Sequence, residues 1–130
     1  MMFFDGGGVT FTGGEATCSF EELRTVLEHL KKEDIHTAIE TNGTHKQLEE
    51  LFGLVDFLIM NFKHYNNNKH LEYTEIKNDV IKENFKKICD LKRQALIRIP
   101  LVYEFNFDPH GFGKFFSHFY TSNIKCEILP

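Results

Sequence analysis

The sequence predicts an α/β domain, with about five strands joined by helical crossovers into a parallel sheet. Three observations carry this. Short β-branched or aromatic runs alternate with stripes at helical spacing along the chain. Residues 54–60 form an apolar run broken only by Asp56, as expected of a strand covered on both faces. The composition is 42% hydrophobic and 26% charged over 130 residues. That suits one soluble domain spanning residues 1–130, burying roughly two thirds of its unfolded surface.

Each element has a local reason. Val9 to Thr12 is short, β-branched and aromatic, hence a strand. Ser19 with Glu22 reads as a capping box. Behind it Leu23, Val26, Leu27 and Leu30 make one apolar stripe on a helix from Phe20 to Lys32. His36 to Glu40 is a second strand, stopped by Thr41-Asn42-Gly43. Thr44, with Gln47 behind it, caps a short helix running to about Phe52. Leu54 to Met60 is the third strand. Asn66-Asn67-Asn68 is a loop, with a helical turn near Lys69 to Tyr73. Asn78 or Asp79 starts a helix with Val80, Ile81, Phe85, Ile88 and Leu91 facing inward. Ala95 to Leu101 is the fourth strand. Asp108-Pro109 places an acidic cap before a proline at the first helical position. Phe112, Phe115, Phe116 and Phe119 then fall on one face. Such a stripe could be an aromatic ligand box, but the periodicity favours a core-facing helix. Lys125 to Leu129 is the fifth strand.

Composition also excludes functions. A net charge of −4 argues against a nucleic-acid surface. No apolar run approaches the ~20 residues of a membrane helix, and Met1 to Asp5 lacks the layout of a signal peptide, so a cytoplasmic location is expected. Cys18, Cys89 and Cys126 are far apart and form no C-x-x-C, which reads as three buried or half-buried free thiols. Of the seven histidines, His36 is expected to pack in its strand and His29, His45, His70, His110 and His118 to lie on the surface. No Ser-His-Asp or H-E-x-x-H pattern supports a hydrolase.

The functional signal lies at the strand ends. Parallel α/β sheets bind ligands at the C-terminal edge of their strands. Here those ends carry Gly13-Gly14-Glu15, then Glu40-Thr41-Asn42, then Asn61 with Lys63, then Arg98. Gly13 and Gly14 leave the main chain open to close approach, and Glu15 offers an acceptor to a cationic group. Neither phosphate-binding glycine motif can be threaded through the run. Taken alone the glycines read as a plain turn. Taken with the other ends they point to a small polar ligand.

Four segments in order resemble a known family: Gly7-Gly8-Val9-Thr10-Phe11-Thr12-Gly13-Gly14-Glu15-Ala16, Ile35-His36-Thr37-Ala38-Ile39-Glu40-Thr41-Asn42-Gly43, Asn61-Phe62-Lys63-His64, and Ile97-Arg98-Ile99-Pro100-Leu101. Together they are similar to the glycyl-radical-enzyme activating enzymes of the radical S-adenosylmethionine superfamily, most of all to the activators of pyruvate formate-lyase. The resemblance spans nearly the whole chain, is densest from Gly6 to Lys63, and fades after Val102.

It implies a partial (β/α) barrel, TIM-like, whose rim binds S-adenosylmethionine against a [4Fe–4S] cluster. The implied oxidoreductase chemistry is reductive cleavage of that cofactor to a radical, which takes a hydrogen atom from a backbone glycine of a partner such as pyruvate formate-lyase. Carried over residue by residue, Gly13, Gly14 and Glu15 would hold the methionine amino group. Asn61 and Lys63 would reach the ribose or carboxylate, with Asn42 on the same rim. Arg98 would pair with the carboxylate, which its planar fork suits. Glu40, Thr41 and Asn61 would line a monovalent cation site beside the cofactor.

The chain departs from the pattern in four ways, one being the expected absence of the family barrel's last strands after the Ile128-Leu129-Pro130 match. The family's cluster cysteines lie before the glycine-rich strand, where this chain starts, so the expectation is a fragment that is inactive alone. Asn61 stands where the family usually has Asp, and an amide brings no charge to a cation site. Tyr103-Glu104 replaces the usual Pro-Gly turn. The competing expectation is a non-catalytic module that binds S-adenosylmethionine or a partner without redox chemistry. A third reading is an unrelated α/β barrel piece binding a sugar or acid at the same rim. Open sheet edges at Val9 to Thr12 and Lys125 to Leu129 are expected to favour self-association.

Overall fold

In a computed structural model of the chain, residues 8–118 and 123–129 are described. Five parallel strands stand in sequential order: β1 (Gly8–Phe11), β2 (His36–Thr41), β3 (Phe57–Asn61), β4 (Ala95–Pro100) and β5 (Ile124–Leu129). Between them run α1 (Phe20–Lys32), α2 (Asn67–Thr74), α3 (Asp79–Asp90), the single turn α4 (Tyr103–Asn106) and α5 (Pro109–Ser117). Sequential order with right-handed crossovers puts every helix on the same face of the sheet. The result is a partial (β/α) barrel, as expected.

The two faces differ in chemistry. Side chains alternate along each strand. Ile39, Leu58, Met60, Ala95, Ile97 and Ile99 are buried against Leu23 and Leu27 of α1 and Ile81, Phe85 and Ile88 of α3. The register sets Glu40 beside Ile59, and Asn61 beside Arg98 and then Glu127. Apart from the small, buried Ala38, that second face is half-buried or exposed and corresponds to the inside of a barrel. Strands β1 and β5 form the two edges.

Several local expectations need correction. Ser19 sits at the start of α1, but its side chain makes no capping bond. The 3-10 turn Ala16–Ser19 runs straight into the helix, and Glu15 caps that turn instead. Thr44 caps nothing; its hydroxyl and N–H both donate to Asn42 Oδ1, and the short helix is a 3-10 turn at Leu48–Leu51. β3 begins at Phe57, because Leu54 and Val55 close a turn onto the Leu51 carbonyl. Asn67 and Asn68 are helical, with Asn66 accepting from Lys69 N–H as the cap of α2. Leu91 is exposed, since α3 ends at Asp90. His36 is exposed at the start of β2, whereas His70 is buried under the Ile76 carbonyl and the Thr74 hydroxyl. His45 is half-buried, stacked on Phe20 at 4.0 Å between ring centres. In the phenylalanine stripe Phe112 is buried and Phe115 and Phe116 pack on the core, which settles it as core-facing. Phe119, Gly6 and Gly7 lie outside the described residues.

Helices α1, α2 and α3 each end on a left-handed residue other than glycine, and α1 and α3 share one hydrogen-bond pattern there. After α1, Asp34 N–H bonds Lys31 O and Ile35 N–H bonds Leu30 O; after α3, Lys92 N–H bonds Cys89 O and Arg93 N–H bonds Ile88 O. This paired pattern needs a left-handed residue. Asp34 (φ 57°) and Lys92 (φ 53°) supply it against steric preference. Lys92→Gly is therefore expected to raise stability by about 0.5–1 kcal/mol in urea unfolding. A lower stability would show that Gly's unfolded-state entropy outweighs the relieved strain.

Candidate functional site

The C-terminal rim is assembled from the turns that follow β1 to β4. After β1, Gly13 (φ 88°) and Gly14 (φ 54°) both adopt left-handed backbone, and a Cβ at either would touch nothing within 4 Å. The glycines are therefore needed for conformation rather than for lack of room, and they leave the main chain exposed.

Glu15 fixes that turn. Its Oε2 accepts from Thr17 N–H at 3.0 Å, from the Thr17 hydroxyl, and from the Thr41 hydroxyl at 2.6 Å; its Oε1 accepts from Asn42 N–H at 2.7 Å. Burial, the largest single influence, raises the Glu15 pKa. The bonds from Thr17, Thr41 and Asn42 together outweigh it and hold the carboxyl below its ordinary range. Four donors occupy the roughly four acceptor positions of a carboxylate. Glu15 thus ties the end of β1 to the end of β2.

A second cluster crosses the open face. Thr12 donates to Glu40 Oε1 at 3.1 Å, Arg98 Nη1 donates to Glu40 Oε2 at 2.5 Å, and Arg98 Nε donates to Glu127 Oε2 at 3.1 Å. Arg98 reaches over β3 to do so. A third group, Asn42, Asn61 and Lys63, lines a cavity of about 20 Å³ with Thr44 and His70, enough for about one water. A ligand of nucleoside size would therefore lie on the open rim rather than in this cavity.

Most of the expected residues are brought to one rim. Thr41 is the exception for the cation site. Its hydroxyl lies on the helix side and bonds Glu15, whereas Glu40 faces the open side, as adjacent strand residues must. The Thr41 hydroxyl does not meet Glu40 and Asn61.

Sequence reasoning missed the residues that hold the rim loops. Asn84 Nδ2 donates to Gly43 O and His45 O; Asn78 Nδ2 donates to His64 O; Asn106 donates to Lys63 O and Pro100 O and accepts from Val102 N–H. All three are buried. Their signal was an amide at a core-facing helical position, as at Asn84 between Ile81 and Phe85. Glu127 was missed too, although a carboxylate in register with Arg98 is a readable signal.

The three cysteines form no common cluster, and the expectation that all are at least half-buried fails for Cys18 and Cys126. Cys18 and Cys126 are exposed and Cys89 is buried, with its thiol pushed up to about 11, by burial first and then by Asp90 and Cys126. Among the described residues no three His, Cys, Asp or Glu side chains are grouped to hold a metal ion. These residues do not fit an iron–sulfur cluster. No helix among them is long and apolar enough to cross a membrane.

Comparison with known proteins agrees with this frame. The family model of the Radical SAM superfamily matches residues 3–112. The chain is 33% identical over 129 residues to the 4-hydroxyphenylacetate decarboxylase activating enzyme of Clostridioides difficile (strain 630), covering 95% of this chain and 41% of that protein. It is 32% identical over 142 aligned residues to the pyruvate formate-lyase-activating enzyme of Staphylococcus aureus (strain USA300), covering 98% and 56%. A solved domain of pyruvate-formate lyase-activating enzyme from Bacteroides vulgatus ATCC 8482 superposes with a TM-score of 0.76 at 28% identity, over 95% of this chain and 78% of that one. The chain spans about half the length of the curated relatives it matches. With a family model matched over most of its length and relatives that are activating enzymes, the chain belongs to the radical SAM superfamily.

Proposed function

We propose that this chain is the S-adenosylmethionine-binding part of an activating enzyme that generates the glycyl radical on pyruvate formate-lyase or a related glycyl radical enzyme. The observation that carries the reading is the exposed Gly13-Gly14 main chain, clamped by Glu15 on the same rim as Lys63 and Arg98. The residues suit the cofactor's groups. Because the Glu15 carboxylate is saturated by its own chain, a ligand amino group would meet main-chain carbonyls of residues 13–15, with Glu15 holding them in position. Asn42, Asn61 and Lys63 offer donors to a ribose or carboxylate, and Arg98 retains one nitrogen for a carboxylate. Glu40 and Asn61 remain the side chains for a cation, with Thr41 able to contribute only its carbonyl. When bound, S-adenosylmethionine supplies the sulfonium whose reduction underlies the superfamily's radical chemistry.

Titration calorimetry with S-adenosylmethionine tests this. Binding is expected, and Lys63→Ala should weaken it about tenfold by removing one charged contact. Lys63 is exposed, so its loss should leave folding unchanged. Absence of heat with a folded wild-type chain would sink the proposal.

The cysteines favour a second reading, a module that binds the cofactor or partner without redox chemistry. A buried thiol held at about 11 is a poor metal ligand, since metals take the thiolate. Anaerobic reconstitution with iron and sulfide tests the second reading; a stoichiometric cluster on this chain would remove it.

A further inference from the structure

We propose that Glu127 is an internal competitor for the Arg98 fork, occupying the Nε edge on which a ligand carboxylate can be gripped by two bonds. The proposal rests on the reading that the rim binds S-adenosylmethionine. A planar guanidinium grips a carboxylate through two parallel bonds from adjacent nitrogens. Of the Arg98 nitrogens, Nη2 makes no hydrogen bond among the described residues, Nη1 is given to Glu40 and Nε to Glu127. Nε has a single hydrogen and shares one edge of the guanidinium with Nη2, so a ligand carboxylate that grips that edge must displace Glu127.

The geometry shows which one yields. Glu40 is bound at 2.5 Å, its side chain is 25% exposed, and its other oxygen accepts from Thr12. Glu127 is bound at 3.1 Å, its side chain is 44% exposed, and among the described residues its carboxylate bonds Arg98 alone. Glu127 is the weaker and more hydrated contact, and it stands on edge strand β5. Two carboxylates against one guanidinium also leave the cluster with excess negative charge, which opposes a third carboxylate. Glu127 therefore sets the threshold a carboxylate ligand must overcome at the Nε edge, while Glu40 keeps Arg98 laid across β3.

The test is calorimetric titration of the full 130-residue chain, wild type and Glu127→Gln, with S-adenosylmethionine and with its decarboxylated analogue. Glu127→Gln keeps the shape and removes the charge. It should bind S-adenosylmethionine about three- to fivefold more tightly, the scale of one partly exposed ion pair, and the decarboxylated analogue no more tightly than wild type does. Equal or weaker S-adenosylmethionine binding by Glu127→Gln, with wild type binding normally, overturns the proposal and leaves the cofactor reading intact. An equal gain for both ligands overturns it as well, since the carboxylate would then be irrelevant. No binding by either protein overturns the proposal and the cofactor reading together.

Discussion

Glu15→Ala is expected to lose about 2–3 kcal/mol of stability and to weaken S-adenosylmethionine binding by at least about tenfold. The substitution removes an acceptor serving four donors on two segments. Thr17 and Thr41 are buried, so their hydroxyls lose a partner where water reaches poorly. Each such group costs on the order of 1–3 kcal/mol when unpaired. The half-exposed carboxylate itself leaves room for water to take over part of the loss, which keeps the total near one or two such groups. The binding loss follows from geometry: without the clip, the Gly13-Gly14 turn has no tie to the end of β2. Glu15→Gln should fall between, because its amide NH₂ faces backbone N–H donors.

The pH dependence has a definite sign. The Glu15 pKa is depressed in the folded chain relative to its ordinary value of 4.5. Its contribution is present above that value and is lost as pH falls through the lower folded pKa. Wild-type stability should therefore drop below about pH 4.5 more steeply than that of Glu15→Ala. Urea unfolding of both proteins across the acid range measures it. Parallel acid limbs would mean that the carboxylate is not held as described.

The rim was legible because its signals are backbone signals. Glycines, turn residues and strand ends are ordered by sequence, and a sequential parallel sheet converts that order into position. The division of labour inside the rim was not legible. Glu15 reads as a ligand acceptor until Thr17, Thr41 and Asn42 are seen to fill it. Arg98 reads as a fork open to a ligand until Glu40 and Glu127 are seen on two of its nitrogens. Thr41 reads as a neighbour of Glu40 until strand alternation sends its hydroxyl to the other face. Caps failed for a related reason: Ser19 and Thr44 have the right chemistry, but a preceding turn had already taken the role. Helix ends at Asp34 and Lys92 carried no glycine to mark them.

Phe62→Ala is expected to cost about 3–5 kcal/mol and to lower the melting temperature by about 10–20 °C. Phe62 is wholly buried, and its ring centre lies 5.3 Å from Phe115, 5.4 Å from Phe116, 6.1 Å from Phe85 and 6.4 Å from Phe112. Truncation removes the ring's transfer free energy and leaves a cavity among rings that cannot all close on it, because they belong to two helices, α3 and α5. The loss is a large share of the roughly 5–15 kcal/mol available to a domain. It also reaches the rim, since Phe62 lies between Asn61 and Lys63, and its N–H is bonded to the Arg98 carbonyl at 2.7 Å. A buried ring thus sets where two proposed ligand contacts leave the sheet. Phe62→Leu, which fills most of the volume, should recover more than half of the lost stability, and S-adenosylmethionine affinity should recover with it. Thermal unfolding by circular dichroism, paired with calorimetry below the transition, tests both statements. A loss under about 1 kcal/mol for Phe62→Ala would show that the aromatic cluster repacks. Full stability without recovered affinity in Phe62→Leu would show that ring shape, rather than bulk, positions Asn61 and Lys63.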